Sequence, residues 1–491
     1  MSDIIMAIDQ GTTGTTVLLL DPALNVLAKG YQEFRQIYPK PGWVEHDLND
    51  IWASVESSVT QALKHANVKP GQIKAIGITN QRETTCAWNR NTGEPYNHAI
   101  VWQCRRTADE CKRLREAQLE SLYTKRTGLL LDPYLAGTKF KWLLDNVDGL
   151  RSDAESGKAA FGTIDSFMVW RLTGGVHVTD VSNASRTLLF NLETMNWDDD
   201  LLEPLTVPKQ VLAEIVDSSA VYGETKGLSF LPDGIPVAGM AGDQQAALFG
   251  QACFEPGTAK CTYGTGSFVL LNIGDHVIHS RHRLLTTVGW RIGGETVYAL
   301  EGSCFIAGAA VQWMRDGLSA FKESPMIEAL AESVPDNGGV VFVPALTGLG
   351  APHWNPDAKG VVWGITRGTT MGHIARATLE AIALQNHEII QAMQSDYRKP
   401  VQMLKVDGGA AANNLMVQFQ ADILGTEISR PTMLETTALG AAFLAGLAVG
   451  TWKDKDELRK VWKEDRRFTP HMSKDKVDEH LRLWDEGIKR V

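Results

Sequence analysis

The sequence predicts an α/β fold in which two related domains enclose a cleft. Short apolar strands alternate with amphipathic helices, which is typical of layered α/β domains. Residues 4–20 run through a strand, a Gly/Thr turn and a second strand, and residues 258–271 repeat that order. The chain has 491 residues, enough for two large domains or about three of ordinary size. We expect an N-terminal domain over residues 1–250 and a C-terminal domain over residues 251–491.

The first half is predicted to begin with strands joined by polar turns and to continue with a helix. Asp47 is a suitable N-cap for that helix, because apolar residues from Leu48 to Leu63 recur with helical spacing. A further buried strand then runs into the polar string Thr79–Glu83. The predicted strands cover residues 4–8, 15–20, 26–34 and 73–78.

The second half is predicted to continue in the same alternating way. An apolar strand runs into Gly408-Gly409 and is followed by a helix over residues 415–424. The charge-rich tail, residues 453–476, carries Leu458 and Trp462 at roughly helical spacing and is predicted to be a surface helix. The predicted strands at the start of this half cover residues 258–263 and 268–271.

Composition and charge exclude several classes of protein. Hydrophobic residues make up 44% of the chain and charged residues 22%, which is ordinary for a globular protein. The 48 Lys and Arg residues against 58 Asp and Glu residues leave a net charge of −10, so we expect no general attraction to nucleic acid. The sequence has no long apolar run and does not start with basic residues. We therefore expect neither membrane insertion nor a signal peptide. Six cysteines without a Cys-x-x-Cys pair indicate reduced thiols and a cytoplasmic location.

Two Gly/Thr turns suggest phosphate binding. They lie at Asp9–Thr16 and Tyr263–Ser267, each between two predicted strands. Glycines allow backbone N–H groups to approach an anion, hydroxyl groups add donors, and an acid beside such a turn can hold hydrated Mg²⁺. Each turn alone is equally consistent with a plain hairpin. Two such turns facing each other across a cleft would hold both ends of a polyphosphate.

Two stretches of small residues lead into predicted helices, at Gly302–Gln312 and Val406–Asn414. Small side chains permit the close approach of a ribose or a flat ring, although glycine there also serves helix packing. The nucleotide-binding motifs of P-loop enzymes, protein kinases and Rossmann dehydrogenases are absent from the sequence. No His-Glu-x-x-His string occurs either, so a transition-metal site is not expected.

Charged and amide groups follow two of the predicted strands. Arg82-Glu83 lies just beyond a strand end, where open α/β sheets bind ligands, and such a pair can donate to and accept from hydroxyl groups. A surface ion pair is the simpler interpretation. Asp243-Gln244 opens an apolar, helical run, so Asp243 is either a capping residue or a general base toward a hydroxyl nucleophile.

Seven strings in order resemble the FGGY family of carbohydrate kinases over essentially the whole chain, and in particular its members that phosphorylate glycerol. The strings are Asp9–Thr13, Thr79–Thr84, Val101–Arg106, Asp132–Lys139, Ala241–Gln245, Tyr263–Gly266 and Asp407–Ala410. The resemblance implies two ribonuclease-H-like domains of the actin, Hsp70 and hexokinase type that close over ATP and glycerol. It implies ATP-dependent transfer of a phosphoryl group to give sn-glycerol 3-phosphate, with Mg²⁺ as cofactor.

The resemblance also implies a role for individual residues. Asp243 is the expected general base, and Asp9 is expected to position Mg²⁺. The residues expected to contact glycerol hydroxyls are Arg82, Glu83, Tyr134, Asp243 and Gln244, with Trp102 and Phe268 against the carbon skeleton. The residues expected to hold the nucleotide are Thr12, Thr13 and Gly14 at the γ-phosphate end and Thr265, Gly308, Gln312, Gly409 and Asn413 elsewhere. Homo-dimers and tetramers are common in the family.

Two alternatives stay open at this stage. A kinase of the same fold acting on another polyol or a ketose is the nearer one, and Arg82-Glu83 with Trp102 argues against it. The other is a nucleotide-switched binding protein of the Hsp70 or actin type, which shares the phosphate hairpins. Only about 40 residues follow Gly450, too few for a peptide-binding domain.

Two departures from the family pattern bear on phosphate binding and regulation. Many members carry Ser-Ser-Arg after Gly-Thr-Thr, with the arginine reaching phosphate, whereas this chain has Gly14-Thr15-Thr16. Some bacterial members are inhibited by fructose 1,6-bisphosphate at a Gly-Gly-Thr-Arg loop, or activated by phosphorylation of a histidine nearby. Residues 222–236 contain neither feature, so we expect this chain to respond to neither signal.

Overall fold

Two large mixed sheets form the framework of the computed structural model, which describes residues 3–355 and 357–491. The strands of the first half are β1 Ile4–Gln10, β2 Gly14–Leu20, β3 Val26–Glu33, β4 Glu45–His46, β5 Ile73–Asn80, β6 Thr85–Asn89, β7 Ala99–Ile100, β8 Ala159–Thr163, β9 Val178–Asp180, β10 Phe190–Asn191, β11 Asn196–Trp197, β12 Glu214–Val216, β13 Ser219–Glu224 and β14 Pro236–Gly242. Its helices are α1 Leu48–Ala66, α2 Ala108–Glu116, α3 Glu120–Thr127, α4 Ala136–Asn146, α5 Leu150–Glu155, α6 Ile164–Thr173, α7 Val181–Ala184, α8 Asp199–Leu202 and α9 Asp243–Gly250.

The second half continues with strands and longer helices. Its strands are β15 Thr258–Tyr263, β16 Ser267–Gly274, β17 Leu285–Ile292, β18 Glu295–Cys304, β19 Val341–Val343, β20 Val361–Trp363, β21 Met403–Asp407, β22 Ile428–Pro431 and β23 Glu464–Phe468. Its helices are α10 Gly308–Asp316, α11 Met326–Glu332, α12 Met371–Tyr397, α13 Asn414–Leu424, α14 Thr436–Ala448, α15 Lys455–Val461 and α16 Lys474–Ile488. None of the described helices is long and apolar enough to cross a membrane.

The two large sheets share a strand plan. The first has six strands in the order β13-β14-β5-β1-β2-β3, with β1, β5 and β14 parallel and β2 and β3 antiparallel. The second has seven in the order β17-β18-β16-β15-β21-β22-β23, with β15, β21 and β22 parallel. The strand–turn–strand units β1–β2 and β15–β16 occupy equivalent central places. The predicted repeat is therefore present in the structure.

Helix α1 covers one face of the first sheet. The Asp47 carboxylate caps it by accepting a hydrogen bond from the Asn49 amide at 2.8 Å. Its apolar side chains pack into a core with β1, β2 and β5, because they fall on one helical face. The helix ends at Ala66, and its C-cap, Asn67, adopts the left-handed conformation. The predicted N-cap and helix are confirmed.

Helix α14 covers the other face of the first sheet, although it belongs to the second half of the chain. Its alanines and leucines pack against Ile5, Ala7 and Leu18 in a single buried cluster. Glycines permit this close approach: a Cβ added at Gly77 would overlap the Ala441 carbonyl, and one at Gly440 would overlap the Ala246 carbonyl. Backbone therefore packs on backbone where the two halves meet.

The predicted single helix over residues 453–476 is wrong. The segment forms the short helix α15, the edge strand β23 and the start of α16. β23 pairs antiparallel with β22, which satisfies backbone groups that would otherwise be unpaired at the sheet edge. Trp452 and Leu458 are buried in the same cluster as α14, and Phe468 is buried against the second sheet. Sheet pairing outweighs the weak helical spacing beyond Val461.

Candidate active site

The carboxyl ends of three parallel strands bring the predicted site segments together. Gln10 of β1 aligns with Asn80 of β5, and Asn80 aligns with Gly242 of β14. Parallel strands that end in register place the segments after them side by side. The first Gly/Thr turn, Arg82-Glu83 and the start of α9 therefore share one edge of the sheet.

Arg82 is the centre of a buried polar network. Its side chain is 2% exposed, and its guanidinium donates to Glu301 through both terminal nitrogens, at 2.5 and 3.0 Å. The same nitrogens donate to Gln245 and to the Tyr134 hydroxyl, each at 3.2 Å. Its Nε lies 3.1 Å from Asp243 Oδ1. Burial opposes the charge of Arg82. The acidic groups around it, Glu301 first and also Glu83 and Asp243, nevertheless raise the pKa of Arg82 well above its ordinary value.

Glu83 is held beside Arg82 by an unusual backbone and by two buried cations. Its φ of +58° lies in the left-handed region, which is uncommon for a non-glycine residue and costs conformational energy. Its carboxylate accepts a hydrogen bond from Arg186 Nε at 2.6 Å. Lys139 Nζ donates to the carbonyl oxygens of Glu83 and Tyr134, at 3.1 and 2.5 Å. The loop is thus fixed on both its side-chain and backbone sides.

Asp243 is the first residue of α9, and its carboxylate is partly exposed. Gly242 is the N-cap, while Asp243 Oδ1 accepts from the Gln244 amide at 2.7 Å and faces Arg82. Burial raises the pKa of Asp243; Arg82 opposes that shift and Glu83 adds to it. A carboxylate with this raised pKa, near a cation and open to the site, is suited to accept a proton.

Aromatic side chains surround the network. The Trp102 indole N–H donates to Thr12 Oγ1 at 3.0 Å. This bond connects Trp102, which is predicted to pack against the substrate's carbon skeleton, to the first Gly/Thr turn. Trp102 meets Tyr134 edge-on, with ring centroids 5.7 Å apart. Phe268, from β16 of the second half, lies 6.0 Å below the Arg82 guanidinium. Charged groups and aromatic faces therefore converge from both halves of the chain.

Asp9 lies at the end of β1 beside this network. Burial, and then the Asp243 carboxylate, raise the pKa of Asp9 to about 7. Lys29 is the cation that opposes this shift, and it forms an ion pair of 2.8 Å with Glu435, which precedes α14. Thr16 shares the sheet face of Asp9 and Lys29 by strand register.

The predicted nucleotide residues follow strand ends of the second sheet. Gly308 donates through its amide to the Gly264 carbonyl at 3.0 Å, and Ala307 donates to the Thr265 carbonyl at 2.8 Å. The start of α10, which carries Gln312, is thereby attached to the second Gly/Thr turn. Beyond β21, Gly409 begins a short 3-10 helix and Asn413 Oδ1 caps α13 by accepting from Met416.

The two groups of site residues meet through a few contacts. Lys260 of β15 donates to the Gln244 side-chain oxygen. Arg82 reaches Glu301 across the same junction. Among residues 3–355 and 357–491, neither Gly409 nor Asn413 forms a hydrogen bond with Arg82, Glu83, Tyr134 or Asp243.

Sequence reasoning missed four residues of this network. Glu301, Arg186 and Lys260 lie outside the seven family strings, and Lys139 lies in the string Asp132–Lys139 without an expected role. A usable signal exists for Glu301, an acidic residue that directly follows the buried run Tyr298–Leu300 in β18. Arg186 and Lys139 are also fully buried, and a buried charge requires partners.

The segment before β14 presents acidic groups. Asp233 Oδ1 accepts from the Gly227 amide at 2.7 Å, so that backbone donor is already engaged by a carboxylate. Glu224 lies close to Gly234. Lys226 is the only cation of residues 222–236. Such surroundings disfavour a phosphorylated sugar.

Comparison with known proteins finds relatives along the whole chain. The model of the N-terminal domain of the FGGY family of carbohydrate kinases matches residues 4–250, and the C-terminal model matches residues 259–449. A glycerol kinase of Myxococcus xanthus is 57% identical over 490 residues, 99% of each chain. Glycerol kinase 2 of Thermotoga maritima is 54% identical over 487 residues, 99% of this chain and 98% of its own.

Solved structures give the same result. The Plasmodium falciparum glycerol kinase with ADP superposes with a TM-score of 0.93 at 35% identity, over 100% of this chain and 98% of that one. A gluconate kinase of Lactobacillus acidophilus superposes with a TM-score of 0.88 at 22% identity, over 100% and 97%, and shows a shared fold alone. The predicted two-domain α/β fold is confirmed.

Proposed function

Because the chain belongs to the FGGY family of carbohydrate kinases, we propose that it is a glycerol kinase, which uses ATP to make sn-glycerol 3-phosphate. The observation that carries the substrate assignment is the buried cluster of Arg82, Glu83, Tyr134 and Asp243 beneath Trp102. Full-length identity of 57% to the Myxococcus xanthus glycerol kinase supports it.

The cluster suits a small neutral triol. Glycerol offers three hydroxyl groups and a short apolar skeleton. Arg82 and Tyr134 supply donors, Glu83 and Asp243 supply acceptors, and Gln244 supplies both. Trp102 and Phe268 would cover the C–H groups of the skeleton.

We assign the proton transfer to Asp243. An alcohol is a poor nucleophile, so its proton must leave as its oxygen attacks the γ-phosphorus and ADP departs in line. Asp243 is exposed toward the site and its pKa is raised by burial, which makes it a better base than an ordinary aspartate. Arg82 keeps one of its oxygens oriented. Closure of the two halves would exclude water, the competing acceptor.

The remaining assignments concern ATP and Mg²⁺. Thr12, Thr13 and Gly14 would meet the γ-phosphate, while Thr265, Gly308, Gln312, Gly409 and Asn413 would hold the rest of the nucleotide. Asp9 fits Mg²⁺, because its charge is disfavoured by burial and by the Asp243 carboxylate, and a bound cation would offset both. No cluster of three or more metal-ligating side chains occurs in residues 3–355 and 357–491, and Mg²⁺ commonly uses one or two carboxylates, waters and phosphate oxygens. When bound, Mg²⁺ neutralises phosphate charge.

The same proposal covers organisation and location. Residues 1–250 would form the glycerol and γ-phosphate side of the cleft, and residues 251–491 the adenine nucleotide side. The protein would act in the cytoplasm as a homo-dimer or tetramer.

The test is a substrate panel with the full-length protein. ADP release would be measured with MgATP and glycerol, erythritol, xylulose, ribulose or gluconate, and the product would be identified by NMR. We expect glycerol to give the highest kcat/KM and sn-glycerol 3-phosphate to be the product. A higher kcat/KM for a ketose or for gluconate would overturn the proposal. ADP release that glycerol does not stimulate would indicate a nucleotide-switched binding protein.

A further inference from the structure

Glu301 lies outside every motif that identifies the site. It nevertheless contacts Arg82, the central residue of the cluster proposed to bind the polyol. It belongs to β18 of the second sheet, where the neighbouring Ala299 and Leu300 are buried and apolar. Its side chain is 2% exposed. Both of its hydrogen-bonding partners, Arg82 and Arg186, come from the first half of the chain. A buried carboxylate of one half therefore meets two buried guanidinium groups of the other.

The geometry is that of a strong, oriented ion pair. The two terminal nitrogens of Arg82 donate to the two different oxygens of Glu301, at 2.5 and 3.0 Å, which is the fork arrangement that fixes guanidinium orientation. Arg186 adds a third bond to Glu301 at 3.0 Å. Arg186 also donates to Glu83 at 2.6 Å, so Glu301 acts on that carboxylate through Arg186.

Glu301 is not itself suited to proton transfer. Burial opposes its ionisation, but Arg186 and then Arg82 outweigh burial and lower the pKa of Glu301 to about 2. The group stays ionised at any pH at which a kinase works. Its contribution is a fixed negative charge at a fixed place.

We propose that Glu301 is a positioning residue for polyol recognition, which aims Arg82 directly, and Glu83 through Arg186, at the substrate hydroxyls. The inference rests on the proposed function. Because Glu301 belongs to the second sheet, it also makes the shape of the polyol site depend on how the two halves sit together. Glycerol affinity then depends on a residue of the half assigned to the nucleotide.

Removing its charge has a specific consequence. Without Glu301, the carboxylates left near Arg82 are Asp243, at 3.1 Å, and Glu83, at 3.8 Å. The guanidinium would turn toward them and pair with the groups that should accept from glycerol. Among the described residues, the Glu301 side chain forms no hydrogen bond with the Gly/Thr turns that would hold phosphate, so ATP binding should change little.

The experiment compares Glu301→Gln and Glu301→Asp with wild type in the full-length protein. Glutamine keeps the size but not the charge, and aspartate keeps the charge but withdraws it by one methylene. For Glu301→Gln we expect the KM for glycerol to rise about 10- to 100-fold, as for loss of a charged hydrogen-bond partner. The KM for ATP should stay within about twofold. The KM for glycerol of Glu301→Asp should lie between the values for wild type and Glu301→Gln. The aspartate variant also keeps the test decisive if Glu301→Gln does not fold.

A matched control is available on α12. Glu380 is also buried, 4% exposed, and accepts from Arg376 at 2.9 Å and Asn337 at 2.7 Å, with no described contact to a candidate site residue. Glu380→Gln should lower the melting temperature without changing the KM for glycerol. An unchanged glycerol KM in both Glu301 variants, or equal rises in the KM for glycerol and for ATP, would overturn the inference. If the wild-type protein does not phosphorylate glycerol, the proposed function itself is wrong.

Discussion

Replacing Gly242 with alanine is expected to weaken glycerol binding without removing any polar group. Gly242 is the N-cap of α9 and has an ordinary extended backbone, φ −59° and ψ 150°, so alanine is conformationally allowed. The added Cβ, however, would lie 2.7 Å from both Cγ and Cδ of Arg82. The stem of Arg82 passes through the space that glycine leaves.

The size of the effect follows from these distances. To reach the 3.4 Å of ordinary contact, the Arg82 stem must move by at least about 0.7 Å. A shift of that size breaks the two 3.2 Å hydrogen bonds to Gln245 and Tyr134, while the shorter pair to Glu301 can survive. Each of these bonds is donated by a charged guanidinium, and a hydrogen bond of that kind contributes about 1.5–3 kcal/mol. If the misplaced guanidinium loses one such bond to glycerol, the KM for glycerol should rise about 10- to 150-fold.

The assay is initial-rate kinetics with glycerol and MgATP varied in turn. Gly71→Ala serves as the control, because its Cβ would meet nothing within 4 Å. We expect Gly71→Ala to match wild type and Gly242→Ala to keep its KM for ATP. A folded Gly242→Ala protein with a glycerol KM within about twofold of wild type would refute the placement of Arg82 as a hydroxyl ligand.

Four further predictions test the site and its regulation. Asp243→Asn should lower kcat about 10²- to 10⁴-fold with modest change in glycerol binding, and more than a tenth of wild-type turnover would contradict the base assignment. In wild type, kcat/KM should fall toward acid through a pKa above the ordinary value of about 4, because burial raises the pKa of Asp243 and only its ionised form accepts a proton. Arg82→Ala should raise the KM for glycerol roughly 10- to 150-fold and leave the KM for ATP nearly intact; the reverse pattern would mean that the two substrates have been misplaced. Millimolar fructose 1,6-bisphosphate should not inhibit, since Lys226 stands among acidic groups, and inhibition that persists at saturating Mg²⁺ would reveal an effector site elsewhere.

Local chemistry allowed much of the framework to be predicted. The Asp47 cap and its helical stripe, the strands on either side of each Gly/Thr turn, and the helix after Gly408-Gly409 depend on neighbours a few residues apart. The family strings also placed Arg82, Glu83, Tyr134 and Asp243 in one site, and the structure brings those four side chains into contact.

Long-range pairing accounts for what was missed. Arg82 and Glu301 are 219 positions apart, and no periodicity connects β5 with β18. The wrong prediction for residues 453–476 has the same cause. β23 forms because β22 presents an unpaired edge, and the local sequence of this segment carries no information about that edge. Burial of Lys139 and Arg186 likewise depends on elements that are distant in sequence.

The packing of α14 has a consequence for synthesis of the chain. One face of the first sheet is complete once β14 leaves the ribosome, but the helix that covers it, Thr436–Ala448, is translated about 200 residues later. At 5–20 residues per second, the interval is roughly 10–40 s. Throughout it the Ile5, Ala7 and Leu18 face is without its native cover, so the N-terminal half cannot finish folding before translation nears its end. Production in cells should therefore depend on chaperones that shield a nascent sheet, and a fragment ending at residue 250 should aggregate.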